Sequence, residues 1–144
     1  MRVAKRETLP HCVELIVPSR KANSTPIPTE LVDKAVEQVE RKMCELFKGS
    51  TTYPAFGGRI DDKGLLHREA VKVVQSFCTT EDWKAGEDAY WALALMIGEW
   101  LVQAGVGTVQ DGLMTILILD DSPEEPESET QGDCLSIACP QWGL

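Results

Sequence analysis

His67, Arg68 and Glu69 are the residues whose types and spacing best fit acid–base chemistry. His67 and Glu69 lie two positions apart on a predicted strand, so their side chains share one face. Asp61 and Asp62 precede them in the adjoining turn. A histidine titrates near neutral pH and can act as a general base beside carboxylates. The alternative is that these charges crowd a solvent-exposed hairpin tip, and this interpretation is preferred, so no catalytic residue is assigned and the three remain candidates.

The chain has five cysteines and two histidines. Cys134 and Cys139 stand in a C-x₄-C spacing near the end of the chain, but a metal site would need further ligands, for which only His11 and His67 are available. We therefore predict reduced thiols, no metal and no cofactor, with Cys134 and Cys139 as metal-ligand candidates. No glycine-rich phosphate loop, nucleophile elbow or iron–sulfur cysteine run occurs.

Three tryptophans, Trp83, Trp91 and Trp100, lie on one predicted helix at more than one azimuth. Tryptophan is a common interface anchor because it buries a large area and keeps an N–H for a partner. A helix packed on one sheet needs a single apolar stripe. The pattern predicts a second contact for this helix, and the alternative is three core tryptophans.

The carboxyl-terminal segment combines an acidic stretch with an apolar end. Residues 120–133 contain seven acids and no lysine or arginine, and the eleven residues that follow are rich in apolar side chains. An acidic tether that ends in apolar residues is typical of a docking peptide, which could bind its own domain or another protein. The alternatives are an unselected disordered end and a peptide that is cleaved or modified.

The net charge of −9 excludes a general nucleic-acid binder, because phosphate contacts need clustered lysine and arginine. The basic amino terminus leads into no apolar stretch, so a secretory signal is not expected. The longest apolar run is too short to span a bilayer. We therefore predict no nucleic-acid or membrane partner and a cytoplasmic location.

The apolar patterns predict the order β-α-β-β-α-β. Strand-like residues 11–18 precede an amphipathic helix over 29–48, with Thr29 as N-cap and Gly49 as C-cap. Two strand-like stretches follow, joined by the turn at residues 61–64. A second helix over 82–104 and a last strand over 108–119 complete the pattern.

The last strand is apolar on both faces, although an open sheet normally exposes one polar face. This predicts a homo-oligomer or a heteromeric contact that buries roughly 800 Å² per partner. The predicted partner-binding residues are Trp91, Leu95, Met114, Ile116, Ile118, Leu135, Ile137, Trp142 and Leu144.

The order of elements over residues 12–119 resembles the ferredoxin-like plaits (split βαβ, α/β-plait), and residues 56–64 are similar to the hairpin of small uncharacterised bacterial plait proteins. The resemblance implies an α+β domain over residues 1–119 with an antiparallel sheet and two helices on one face. Residues 120–133 then form an acidic linker and 134–144 an apolar peptide. The resemblance assigns no functional residue.

These observations favour a non-enzymatic function. The expected protein is a small cytosolic binding or adaptor module, antitoxin- or immunity-like, that self-associates and engages a protein partner with its tail. The first alternative is a small enzyme or ligand-binding dimer with a pocket near His67 and Glu69. The second is a carrier of a cleaved or modified carboxyl-terminal peptide. Whether the region around His67 is a concave pocket or a convex tip separates the first alternative from the adaptor.

Overall fold

The computed structural model describes residues 2–119, which form an α+β fold of one five-stranded antiparallel sheet and two helices. The elements are β1 His11–Val17, α1 Thr29–Phe47, β2 Thr51–Ile60, β3 Leu66–Cys78, α2 Thr80–Trp100, β4 Gly105–Gln110 and β5 Leu113–Ile118. The strand order is β2-β3-β1-β4-β5. The predicted α+β class and antiparallel sheet are confirmed, and the predictions for residues 120–144 fall outside the described residues.

The hairpin of β2 and β3 is longer than the strand beside it. Asp61 opens the predicted turn, and Gly64 adopts a positive φ of 83°, which glycine tolerates without strain. Strand β1 pairs with β3 only from Cys78 to Lys72. The hairpin therefore continues past the end of β1, and this projecting part positions the candidate site.

The prediction of one final strand over residues 108–119 is wrong. Residues Asp111 and Gly112 have φ values of 51° and 84° and turn the chain between β4 and β5. Asp-Gly is a strong signal for a tight two-residue hairpin, because both positions must adopt positive φ. The sheet consequently has a fifth strand at its edge.

The helix ends differ by small amounts from the predictions. Pro28, not Thr29, occupies the N-cap of α1, and Lys48, not Gly49, adopts the left-handed conformation after its last residue. Thr79 caps α2 by accepting a hydrogen bond from the Asp82 N–H at 3.0 Å. Helix α2 ends at Trp100, four residues earlier than predicted.

Aromatic side chains fill the core between the helices and one face of the sheet. Trp83 and Tyr90 are buried in contact with Phe47, and Trp91 packs edge-on against Tyr90. The Tyr90 hydroxyl donates to the backbone carbonyl of Glu14 at 2.6 Å, which satisfies the polar atom of a fully buried ring. Two of the three tryptophans thus contribute to the core, while Trp100 is 37% exposed.

In residues 2–119, no helix combines the length and apolarity needed to span a bilayer.

Gly98 of α2 lies against strand β4 with no room for a side chain. An added Cβ would come within 2.6 Å of Val106 Cγ2 and 2.9 Å of Leu119 Cδ1. We expect Gly98→Ala to lower the free energy of unfolding by about 1–3 kcal/mol through overpacking, despite the gain in helix propensity. Urea denaturation measures the effect, with Gly49→Ala as the control because no atom lies within 4 Å of its added Cβ. An unchanged stability of Gly98→Ala would contradict the close packing of α2 on β4.

Candidate functional site

A cleft of about 190 Å³ lies where the β2–β3 hairpin projects past the end of β1. The loop over residues 18–28 leaves β1 at this point and forms the other wall. The lining residues are Arg20, Lys21, Ser24, Arg59, His67, Arg68 and Glu69. The structure therefore brings all three candidate residues, His67, Arg68 and Glu69, to one concave surface.

Glu69 binds the loop over residues 18–28 to strand β3 of the hairpin. Its Oε2 accepts hydrogen bonds from the backbone N–H groups of Ser19 and Arg20, both at 2.8 Å, and only 5% of the residue is exposed. Burial raises the pKa of Glu69 above its usual value, although both backbone hydrogen bonds and the nearby Arg20 act in the opposite direction. This is a carboxylate held in a fixed position at the edge of a cationic cleft.

The rest of the loop is held by its own contacts and by the segment after α2. The Arg20 Nη1 donates to the carbonyl of Ser24 at 3.0 Å, and the Arg20 carbonyl accepts from Gln103 Nε2 at 2.6 Å. The N–H of Ala22 donates to the carbonyl of Val102 at 2.9 Å. Both walls of the cleft are therefore ordered before a ligand binds.

His67 pairs with the hairpin turn. Its Nε2 lies 2.6 Å from Asp61 Oδ2, and Asp61 Oδ1 also accepts from the N–H groups of Lys63 and Leu65. The hydrogen bond from His67 and the two backbone bonds hold the pKa of Asp61 at about 2. The predicted proximity of His67 to Asp61 is confirmed, whereas Glu69 bonds to the loop and not to this pair.

Arg68, which also lines the cleft, is oriented by a neighbouring aromatic ring. Its guanidinium carbon lies 4.5 Å from the centre of the Phe56 ring, an attractive cation–π arrangement. With Arg20, Lys21 and Arg59, Arg68 is one of four cationic residues that line the cleft together with the buried Glu69. Such a site can bind a carboxylate or another anion through the arginines and a cationic group through Glu69.

Sequence reasoning missed Arg20, Lys21, Ser24 and Arg59. They lie on a loop and on β2, and only the pairing of β1 with β3 brings them to His67. No local spacing reveals this neighbourhood.

Sequence reasoning also missed a second histidine cluster, which lies at the end of the sheet opposite to His67. His11 Nδ1 lies 2.8 Å from Asp111 Oδ2, and His11 Nε2 lies 3.0 Å from Thr80 Oγ1. The hydrogen bond from His11 and a bond from the Cys12 N–H to Asp111 Oδ1 lower the pKa of Asp111. Together with the contact to Thr80, they join β1, α2 and the β4–β5 turn.

The other predicted site residues are dispersed. Trp91 is partly buried against the core, and Leu95 on α2 is 43% exposed. On β5, Met114, Ile116 and Ile118 are 50%, 37% and 58% exposed. The remaining predicted residues, Cys134, Leu135, Ile137, Cys139, Trp142 and Leu144, lie outside the described residues. In residues 2–119, no three histidine, cysteine or acidic side chains group in a way that could hold a metal ion.

Comparisons with known proteins give a structural likeness only. No protein-family model and no curated protein matches the chain. A phage SAM lyase (SAM is S-adenosylmethionine) in complex with S-methyl-5′-thioadenosine superposes with a TM-score of 0.58 at 14% sequence identity, covering 84% of this chain and 99% of that chain. The same type of protein in its apo state gives a TM-score of 0.53, with the same identity and coverage.

This likeness corrects two expectations from the sequence. The resemblance to ferredoxin-like plait proteins is wrong as a family assignment, because the matching structures are phage SAM lyases and the sheet has five strands. The expectation of a non-enzymatic adaptor, with its antitoxin- or immunity-like variant, is likewise wrong, since the likeness spans almost the whole of an enzyme. The chain has a SAM lyase-like fold.

Proposed function

We propose that this protein is an enzyme that cleaves S-adenosylmethionine and releases S-methyl-5′-thioadenosine. The observation that carries the proposal is the fold likeness over 99% of the phage lyase chain. The concave, charged cleft around His67 and Glu69 supports it, because this is the feature that separates the enzyme alternative from the adaptor.

The charges of the cleft suit the amino-acid part of this substrate. S-adenosylmethionine carries a carboxylate, an ammonium group and a sulfonium sulfur. The guanidinium groups of Arg59 and Arg68 can bind the carboxylate in a charge-assisted, two-pronged manner. The Glu69 carboxylate, fixed by Ser19 and Arg20, can bind the ammonium group.

The proposed reaction breaks the bond between the sulfonium sulfur and the γ-carbon of the methionine part. The electron pair of that bond leaves with the sulfur, which becomes the neutral thioether of S-methyl-5′-thioadenosine. The γ-carbon of the remaining four-carbon fragment replaces its lost bond to sulfur in one of two ways. Either the carboxylate of the fragment attacks the γ-carbon, or the β-carbon loses a proton to a base and a double bond forms. In either route the residues of the cleft contribute by fixing the conformation of the substrate.

Product identification tests the proposal. Purified protein is incubated with S-adenosylmethionine, and the products are separated and identified by mass spectrometry. We expect S-methyl-5′-thioadenosine, and we expect no cleavage of S-adenosylhomocysteine, because its uncharged sulfur is a poor leaving group. Formation of S-adenosylhomocysteine with a methylated acceptor, or the recovery of intact substrate, would overturn the proposal.

We also propose that the protein self-associates through the exposed apolar side chains of β5 and acts in the cytosol. Met114, Ile116 and Ile118 present an apolar face that residues 2–119 do not cover. Such a face favours association.

Light scattering tests the self-association. We expect an oligomer for the wild-type protein and a monomer for Ile116→Asp with Ile118→Asp, because two buried charges oppose association. Lys34→Asp on the exposed face of α1 is the control and retains the oligomer. A monomeric wild type at high protein concentration would contradict this proposal.

A further inference from the structure

The chain leaves the described fold beside the cationic cleft. The N–H of Leu119 donates to the carbonyl of Ala104 at 3.0 Å. The preceding residues, Val102 and Gln103, bond to Ala22 and Arg20 of the cleft loop at 2.9 Å and 2.6 Å. The same short segment therefore holds both the last described residue and one wall of the cleft.

The residues that begin at this point carry the opposite charge to the cleft. Residues 120–133 contain seven acids and no lysine or arginine, and removing those acids from the net charge of −9 leaves −2 for the rest of the chain. The acids are Asp120, Asp121, Glu124, Glu125, Glu127, Glu129 and Asp133. The cations of the cleft are Arg20, Lys21, Arg59 and Arg68. Most of the excess negative charge of the molecule thus starts next to this positive cleft.

The length of the acidic segment is sufficient for it to reach the cleft. Fourteen residues span at most about 46–50 Å when fully extended, and a flexible chain of that length has a root-mean-square extent of about 19–22 Å. A segment tethered so closely has an effective concentration in the millimolar range at the cleft. Weak individual ion pairs are then enough for substantial occupancy.

We propose that residues 120–133 bind in the cationic cleft of their own chain and compete there with the anionic group of the substrate. The pairing of side-chain carboxylates with Lys21, Arg59 and Arg68 rests on charge and tethering alone. The competition with S-adenosylmethionine rests on the proposed function. Binding of the segment weakens as ionic strength rises, because salt screens the ion pairs.

Carbodiimide cross-linking of the full-length protein tests the contact. This reagent joins a carboxylate to a lysine amine with no spacer, so it reports direct ion pairs. Lys21 is the lysine of the cleft, and exposed Lys84 is the control because it lies near the amino end of α2, about 24 Å from the carboxyl end of that helix. We expect amide links from residues 120–133 to Lys21 at least fivefold more often than to Lys84, with the excess lost in 1 M salt.

A mixture of ¹⁵N-labelled and unlabelled protein shows whether the links are within one chain. Links between chains, or equal links to Lys21 and Lys84, would overturn the proposal. Arg59→Ala combined with Arg68→Ala should reduce the Lys21 links at least threefold, because two of the four cations are removed. Retention of all links in this variant, with the fold verified by circular dichroism, would also overturn it.

A full-length variant with the seven acids changed to their amides separates the two proposals. If S-adenosylmethionine is cleaved, we expect this variant to have at least a threefold lower KM in low salt and an unchanged kcat. An unchanged KM would contradict the competition. If no cleavage occurs in any variant, the proposed function fails, and the cross-links alone still decide whether the acidic segment occupies the cleft.

Discussion

Glu69→Ala is expected to lower the free energy of unfolding by about 2–4 kcal/mol. The change leaves the partly buried N–H groups of Ser19 and Arg20 without their acceptor, and a donor left unsatisfied away from water costs about 1–3 kcal/mol. The loop that forms one wall of the cleft would lose two of its hydrogen bonds to β3 and would be held there by the bond from the Ser19 hydroxyl to the Ala70 carbonyl. Urea denaturation followed by fluorescence measures the change.

Glu69→Gln is the matched control. Glutamine keeps an oxygen acceptor and removes only the charge, so we expect a change smaller than about 1 kcal/mol at neutral pH. If both variants are equally unstable, the hydrogen bonds to the loop are not what Glu69 contributes. If Glu69→Gln folds normally but loses lyase activity, the charge is needed for the substrate and not for the fold.

The pH dependence of stability distinguishes the protonated form of the Glu69 carboxyl from its ionised form. Burial raises the pKa of this carboxyl in the folded protein, so the folded state binds its proton more tightly than the unfolded state does. The stabilisation is complete below the ordinary pKa of about 4.3 and is lost as the pH rises through the raised value. Relative to Glu69→Gln, the wild type should therefore become less stable as the pH rises above the ordinary pKa of about 4.3. A constant difference would contradict the raised pKa.

Arg59→Ala and Arg68→Ala are each expected to lower kcat/KM for S-adenosylmethionine by about 10- to 150-fold. This range corresponds to the loss of one hydrogen bond to a charged group, about 1.5–3 kcal/mol. The side chains line the cleft, and Arg68 is held in place by Phe56. Phe56→Leu should therefore have a smaller effect in the same direction, because it removes the ring and leaves the cation.

The control for these variants is Arg41→Ala. Arg41 pairs with Glu37 on the exposed face of α1, away from the cleft. It carries the same charge, so its removal reproduces the change in net charge alone. Equal losses in Arg41→Ala and Arg59→Ala would show that the effect is one of overall charge, and the assignment of the cleft would be contradicted.

Local patterns predicted most of the secondary structure. The helical spacing of apolar residues located α1 and α2, and the Asp61 turn located the β2–β3 hairpin. The β4–β5 hairpin was missed because the apolar residues over 108–119 favour one continuous strand, although Asp111-Gly112 is the stronger signal. The residues that we expected to form one strand with two apolar faces form the two short strands β4 and β5, and β5 lies at the edge of the sheet.

The site was predictable only in part. His67 and Glu69 share a strand face, and this alternation identified them without showing what they face. Their setting depends on β1 ending at Val17 while β3 continues, which leaves space for the loop with Arg20 and Lys21. That difference in strand length is a property of tertiary pairing, and no spacing within the sequence encodes it.

The most direct test of the central claim is to locate S-methyl-5′-thioadenosine on the protein by backbone amide chemical shifts. We expect the largest shift changes at the loop over residues 19–24 and at Arg59, His67, Arg68 and Glu69, with the His11 and Asp111 end of the sheet unchanged. Saturable changes confined to that opposite end, or no changes at millimolar ligand, would contradict the assignment of the cleft as the substrate site.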